Sequence, residues 1–159
     1  MLPAWAGPDV ARRLAALAEA EPDREACGFV VEGADGGAEV VPMRNVVGAP
    51  GGPPGDPRQA FRVDPAGHLA LSRTLRAGRR AILAVYHSHV DGPARLSPAD
   101  REEALLDGRP VVPGADWLVA GMRDGKVMEI RVFRWILHRF LDLGPLPRSW
   151  RGASGDRHA

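Results

Sequence analysis

Apolar residues recur along the chain at two different spacings, and each spacing predicts one kind of element. Stripes at helical spacing, such as Val10, Leu14 and Leu17, follow residues that commonly begin helices. Asp64 and Gly78 are typical start and stop residues for a second helix. These signals predict helices over residues 8–20, 64–78 and about 97–106.

Short apolar runs bounded by glycine, proline and charged residues predict buried strands. They cover residues 25–31, 38–43, 81–89, 116–122 and 126–135. The first two and the last two strands are each joined by a short glycine-containing segment, which is typical of hairpins. The order α, β, β, α, β, α, β, β predicts one α/β domain in which helices pack against a single mixed sheet.

Apolar residues at and beyond the end of the last predicted strand fall on one helical stripe, which predicts a C-terminal helix. The stripe consists of Phe133, Ile136, Leu137, Phe140 and Leu141. Its simplest role is core packing, and an exposed stripe would instead be a surface for a homodimer or another partner. From Gly144 onward the chain is rich in proline, arginine, glycine and serine. We therefore expect a domain over residues 1–143 and a flexible tail over residues 144–159.

Composition narrows the classes of protein that fit. The chain has 159 residues, 45% of them hydrophobic and 26% charged, with a net charge of +1. These values suit one globular domain and give no basic field for nucleic acid or a membrane surface. A single cysteine excludes an internal disulfide, and no apolar run reaches transmembrane length. The N-terminus does not resemble a signal peptide, so we expect a cytoplasmic protein.

The predicted central strand ends in His87-Ser88-His89. Side chains two residues apart on a strand point to the same face, so the two imidazoles can bind one metal ion. The segment Ser97-Pro98-Ala99-Asp100 follows, and it places a carboxylate at the start of the next helix. Two histidines and one carboxylate with an open fourth position are typical of catalytic zinc sites.

The segment from Ser97 to Asp100 has a second interpretation. Serine is a good N-cap, Pro98 suits the first helical position, and an acidic residue is favourable near the positive end of a helix. This helix-start role explains the segment without any metal. Spacing alone leaves the ligand and capping roles of Asp100 equally open, and the two roles are compatible.

The pattern His-Ser-His, seven residues, Ser, two residues, Asp resembles the motif of the JAB/MPN metalloproteases, the JAMM family. The resemblance implies that His87, His89 and Asp100 bind zinc, although iron or cobalt suits the same ligands. It also implies that Ser97 assists the oxyanion and that Glu25 is the general acid and base. The fold expected from it is the cytidine-deaminase-like JAB/MPN architecture.

The resemblance extends over about residues 22–135. Glu25-Ala26-Cys27-Gly28 is similar to the start of the first strand in small stand-alone bacterial members, and similarity continues through Asn45 and the segment Phe61 to Pro65. Val90 departs from the pattern, because a proline commonly follows the second histidine. That position shapes a loop and supplies no ligand.

The resemblance implies hydrolysis of a peptide or isopeptide bond after the Gly-Gly tail of a ubiquitin-like or sulfur-carrier protein. The glycine- and proline-rich loop over residues 46–59 is either a flap that contacts this substrate or an idle insertion. The alternative functions are a non-catalytic MPN scaffold that binds partners and a RadC-type protein linked to DNA. All five motif positions are present, which disfavours the scaffold, and the near-neutral charge disfavours DNA.

Other chemically capable residues have simpler interpretations. Cys27 lies in a buried strand without a neighbouring histidine in sequence, so we expect a small core residue and not a nucleophile. His68, His138 and His158 are expected at the surface, and Asp91 is expected to be a solvated loop residue.

Overall fold

The computed structural model describes residues 1–152 of the chain. Within them it contains three helices and eight strands, which we number in chain order. The helices are α1 (Pro8–Ala20), α2 (Pro65–Ala77) and α3 (Pro98–Glu103). The strands are β1 (Cys27–Glu32), β2 (Ala38–Met43), β3 (Ile82–His89), β4 (Leu105–Leu106), β5 (Arg109–Pro110), β6 (Asp116–Arg123), β7 (Lys126–Ile136) and β8 (Arg139–Pro145). None of these helices is long and apolar enough to cross a membrane.

Six of the described strands form one mixed sheet in the order β2-β1-β3-β6-β7-β8. Strands β3 and β6 are parallel and the other neighbours are antiparallel. The predicted α/β class with a single mixed sheet is therefore confirmed. The beginning of β1 lies beside the end of β3, because Cys27 pairs with His87. The end of β3 in turn lies beside β6, where His87 pairs with Val119.

The sheet separates two apolar clusters. On one face, α1 buries Val10 and Leu14 against strand residues that include Ile130. The other cluster includes Leu75 of α2 together with Phe29 and Trp117. Burial of apolar surface on both faces stabilises the central strands, which accounts for their nearly continuous hydrophobic sequences. The end of β3 is consequently a rigid position for functional side chains.

The predicted C-terminal helix is wrong. Strand β7 continues to Ile136, the chain reverses at Leu137 and His138, and β8 returns antiparallel to it. Both turn residues have positive φ, 49° and 64°, as a tight two-residue hairpin requires. Trp135 and Phe140 pair across the hairpin with ring centroids 4.9 Å apart. The segment is therefore extended and is stabilised by cross-strand pairs, where the sequence predicted a helix.

The predicted stripe is divided by this hairpin. Phe133 is buried and Phe140 packs against the second cluster, as core packing requires. Three other members of the stripe are exposed, namely Ile136, Leu137 and Leu141. Exposed apolar residues of this kind can form a surface for a homodimer or another partner. Homodimerisation through these three residues stays a prediction.

The packed chain also extends beyond residue 143, so a flexible tail starting at Gly144 differs from the structure. Leu146 is buried in the first cluster. The Trp150 Nε1–H donates to the carbonyl of Val127, and the Ser149 hydroxyl donates to the carbonyl of Pro8. These contacts fasten the segment to α1 and β7. The rest of the predicted tail, residues 153–159 with His158, lies outside the described residues.

Helix α3 is shorter than the sequence predicts. It ends at Glu103, and β4 and β5 follow as a small separate hairpin. Asp107 and Gly108 form its turn with φ values of 51° and 73°. An Asp-Gly pair is a strong signal for such a turn. Because this turn pairs the residues on either side of it as strands, the helix ends before them.

Candidate metal centre

The side chains of His87, His89 and Asp100 meet at one point. The Nε2 atoms of the two imidazoles are 3.1 Å apart. The Asp100 Oδ2 atom lies 3.2 Å from Nε2 of His87 and 3.1 Å from Nε2 of His89. Three ligand atoms at the corners of a nearly equilateral triangle form one face of a tetrahedron, which is the preferred geometry of zinc.

Strand geometry accounts for the histidine pair. Both residues belong to β3, and their spacing of two places both rings on one face of the sheet. His87 is fully buried, whereas His89 is partly accessible. Burial lowers the pKa of His87, because the charged imidazolium would lose its hydration. His87 is thereby kept neutral, which is the form that binds metals.

Asp100 has the capping role that its sequence position suggests, and its carboxylate is placed where a metal ligand would lie. Its backbone N–H donates to Ser97 Oγ at 3.1 Å, and its Oδ2 accepts from the backbone N–H of Ser97 at 2.8 Å. This reciprocal capping box fixes the carboxylate beside the two imidazoles. Burial acts to raise the pKa of Asp100, but its close contacts with the two imidazoles and the hydrogen bond from the Ser97 N–H outweigh burial and hold that pKa far below its usual range.

The hydrogen bonds of His89 indicate that a cation fits this triangle. Its Nδ1 is 2.8 Å from the carbonyl oxygen of Pro93, which can only accept, so Nδ1 carries the hydrogen. In neutral His89 the Nε2 atom is then a lone-pair acceptor that faces another acceptor, the Asp100 oxygen, at 3.1 Å. Without a metal this contact favours a second proton on the ring and raises the pKa of His89 against the effect of burial. A metal ion relieves this contact, and a backbone carbonyl is a usual partner for the other ring nitrogen of a metal-binding histidine.

The ring of His87 is held by different contacts from those of His89. Its Nδ1 is buried without a hydrogen-bond partner among the described residues. The ring of Phe61 stacks on the imidazole instead, with centroids 4.4 Å apart and an interplanar angle of 18°. Sequence reasoning assigned no role to Phe61, and its only signal was its place in the segment that resembles the family.

Glu25 lines a cavity next to this triangle. The cavity has a volume of about 370 Å³ and is also lined by His89, Asp91, Arg58 and Gln59. Glu25 is buried, and this burial raises its pKa to about 8, while the charge of His89 lowers it and that of Asp100 raises it. The structure thus brings Glu25 and a candidate metal ligand to one cavity, although they are far apart in sequence.

Comparison with known proteins assigns the chain to a family. The profile of the family described as prokaryotic homologs of the JAB domain matches residues 7–136. This chain belongs to that family. The matched segment contains Glu25, Ser97 and all three residues of the triangle, and it ends where β7 ends.

A relative of this JAB domain occurs in Thermus thermophilus. It is described as a probable TtuB-protein conjugate cleaving protease and is 39% identical over 80 residues, which cover 48% of this chain and 47% of the relative. The match therefore spans about half the length of that protein.

Two solved structures share the fold. The solution structure of protein DSY2949 from Desulfitobacterium hafniense has a TM-score of 0.60 and 23% identity, and the match covers 82% of each chain. A solution structure of a protein from Salinibacter ruber has a TM-score of 0.54 and 23% identity, over 87% of this chain and 88% of the other. At this level of identity the similarity concerns the fold alone.

The loop over residues 46–59 is fastened to the segment that carries Glu25, and a contact with substrate stays a prediction. The buried Asn45 side chain donates through Nδ2 to the carbonyls of Glu25 and Ala60, both at 3.0 Å. Its Oδ1 accepts from the backbone N–H groups of Val47 and Arg62, both at 3.1 Å. One amide thus connects both ends of the loop with the segment that carries Glu25.

We expect Asn45→Ala to lower the free energy of unfolding by about 3 kcal/mol, because it leaves buried backbone groups without partners. Urea denaturation followed by circular dichroism measures this change. Gln59→Ala, on the exposed end of the same loop, is the matched control and should change the stability little. Equal stabilities of the two variants would contradict the role of Asn45.

Gly121 of β6 permits the close approach of the loop that supports His89. A Cβ atom at this position would lie 2.5 Å from the backbone nitrogen of Ala94 and 2.9 Å from the carbonyl oxygen of Gly92. These are backbone atoms, so the loop itself would have to move. Since the same loop presents the Pro93 carbonyl to His89, Gly121 helps to position a candidate metal ligand without contacting it.

We expect Gly121→Ala to weaken zinc binding by about 10-fold or more, as the loss of hydrogen-bond partners of the ligands does in other metal sites. Competition with a chromophoric chelator measures the affinity. Gly7→Ala is a suitable control, because a Cβ there meets no described atom within 4 Å. Unchanged affinity in Gly121→Ala would show that the Pro93 contact does not tune the site.

The remaining candidate residues behave mostly as expected. Cys27 is buried, and burial raises its pKa to about 12, so it holds no thiolate at neutral pH and is a core residue. His138 is exposed at the β7–β8 turn, and Asp91 is exposed at the rim of the cavity with Glu25. His68 is half-buried and contacts Phe29, with ring centroids 4.7 Å apart, so it is not a simple surface residue.

Proposed function

We propose that this JAB domain is a zinc-dependent peptidase or isopeptidase of the cytoplasm. It hydrolyses the linkage that follows the C-terminal Gly-Gly of a ubiquitin-like or sulfur-carrier protein. The observation that carries the proposal is the convergence of His87, His89 and Asp100 beside the cavity that contains Glu25. The Thermus relative, with its description as a conjugate-cleaving protease, supports the substrate class.

The three ligands leave a fourth coordination position for the reaction. His87, His89 and Asp100 would hold a zinc ion, which when bound would polarise the scissile carbonyl and lower the pKa of a water molecule to about 7. The carboxylate of Glu25 accepts a proton from the attacking water and then donates it to the leaving amine. Its burial, which raises the pKa to about 8, suits a group that must hold this proton near neutral pH.

Ser97 has a hydrogen available for the oxyanion. Its Oγ already accepts from the backbone N–H of Asp100, so its own O–H is free to donate in another direction. A donor aimed at the position where negative charge develops stabilises the transition state more than the ground state. The capping box holds Ser97 in place for this purpose.

The cavity has room for an extended tail without side chains. Its walls come from the end of β3 and from residues 58–59, and the segment before them is fixed by the backbone N–H of Glu25, which donates to the carbonyl of Pro57 at 2.7 Å. A Gly-Gly tail has no side chains that would collide with such walls. This agrees with cleavage directly after the two glycines.

The test is cleavage of a defined fusion protein. TtuB is prepared with a C-terminal tail that ends in Gly-Gly followed by a short peptide, and it is mixed with the zinc-loaded protein. We expect intact-mass spectrometry to show a product that ends in Gly-Gly. An uncut fusion that nevertheless binds the zinc-loaded protein would overturn the proposal and favour the scaffold alternative.

A further inference from the structure

A second cavity, which we call the Phe61 pocket, lies between α2, α3 and the sheet. Its volume is about 520 Å³, which is within the range of ligand-binding sites. The walls are predominantly apolar and include Phe29, Phe61, Val85, Val112 and Trp117. The mechanism proposed above uses none of this space.

The Phe61 pocket adjoins the candidate metal centre on two sides. One face of Phe61 stacks on His87, and the same residue lines the pocket. Helix α3 begins with the capping box of Asp100 and contributes Glu102 and Glu103 to the pocket. A group bound in the pocket is therefore separated from a metal ligand by a single aromatic ring.

Trp117 forms part of the pocket wall. It lines the pocket and is only 3% exposed, yet its Nε1–H has no acceptor among residues 1–152. Buried donors without partners are uncommon in folded proteins, because each one costs free energy. The Nε1–H itself is not accessible from the pocket, so an occupant contacts the indole ring and not this donor.

The mouth of the pocket combines apolar surface with negative charge. Leu106 is 69% exposed and Val111 is 46% exposed, so apolar surface continues outward from the pocket. Arg62 forms an ion pair with Glu103 at 3.0 Å. The carboxylate of Glu102, which also lines the pocket, then gives the mouth a negative charge. An apolar residue with a basic neighbour is complementary to this surface.

We propose that the Phe61 pocket is a docking site for the folded part of the protein substrate. An aliphatic or aromatic side chain of the substrate enters the pocket, and a lysine or arginine next to it pairs with Glu102. This inference rests on the proposed function, because it names the feature by which a protein substrate is selected over a short peptide. Docking here places the substrate tail next to His87 and the adjoining cavity.

The test compares a protein substrate with a peptide substrate. The protein is the TtuB fusion described above, and the peptide is a short reporter that ends in Gly-Gly joined to a fluorescent amine. Leu106→Glu should raise the KM for the fusion by about 10-fold or more and leave its kcat and the reporter kinetics unchanged. Leu69→Glu, an exposed α2 position outside the pocket, is the matched control.

Two further measurements separate docking from a structural effect. Glu102→Lys should also raise the KM for the fusion, because it reverses the charge that the basic residue meets. In metal-free protein, which does not turn over, the indole N–H resonance of Trp117 should shift when the fusion is added. Equal KM values for Leu106→Glu and Leu69→Glu, or an unmoved resonance, would overturn the docking site while cleavage itself continues. Failure of the unsubstituted protein to cleave either substrate would overturn the proposed function instead.

Discussion

Replacing Glu25 with glutamine should abolish most turnover while the protein keeps its zinc and its fold. Glutamine has the same shape, but it cannot accept and return a proton. General acid–base catalysis typically contributes 10²–10⁴-fold, so we expect kcat for the TtuB fusion to fall by about that factor. Stopped-time assays by intact-mass spectrometry measure the rate, and zinc content measured on the same sample shows that the site is loaded.

The control for this prediction is Glu39→Gln. Glu39 lies on β2, the strand next to β1, and it is exposed. This variant should keep the full rate. If Glu25→Gln turned over as fast as the control with zinc bound, Glu25 would not be the acid and base, and another proton acceptor in the cavity would have to be sought.

Replacing Asp100 with asparagine should separate its two roles. The amide oxygen can still accept from the backbone N–H of Ser97, so the start of α3 should survive. An amide lacks the negative charge that a zinc ligand supplies, and we expect zinc affinity to fall by at least about 100-fold. Chelator competition measures the affinity, and thermal denaturation without metal checks that the cap is intact.

Asp91→Asn is the matched control for Asp100→Asn. It makes the same change at the edge of the adjoining cavity, where Asp91 is exposed. Its zinc affinity should equal that of the unsubstituted protein. Tight binding of one equivalent of zinc by Asp100→Asn would contradict the three-ligand site.

The metal triangle was predictable from local sequence because each part of it is local. The spacing of His87 and His89 fixes their common face, and the helix-start signal fixes Asp100 at the adjacent N-terminus. Spacing could not choose between cap and ligand for Asp100. The structure shows that the two roles are compatible, because the capping geometry directs Oδ2 toward the histidines.

Glu25 could not be found by spacing. It reaches the cavity because β1 pairs with β3 in the register that sets Cys27 beside His87, and this register depends on packing across the whole sheet. Phe61 and Gly121 act through contacts between distant segments for the same reason. Only the family resemblance indicated Glu25 from sequence, and nothing indicated Gly121.

The C-terminal error has a physical origin. The apolar spacing of Phe133, Ile136 and Phe140 suits a helix, and the turn at Leu137 and His138 lacks the glycine or asparagine that usually marks a tight hairpin. The segment becomes a strand because β7 offers an unpaired edge and Phe140 can pack against Trp117, with centroids 6.4 Å apart. Tertiary pairing thus overrides the local pattern.

The central claim is that a single zinc ion in the His87, His89 and Asp100 site performs the hydrolysis after Gly-Gly. The most direct measurement titrates metal-free protein with zinc and follows cleavage of the TtuB fusion by intact-mass spectrometry. We predict that the rate rises linearly, reaches its plateau at one equivalent, and yields a product that ends in Gly-Gly. Cleavage that does not depend on zinc, or a fully loaded protein that leaves the fusion uncut, would contradict the claim.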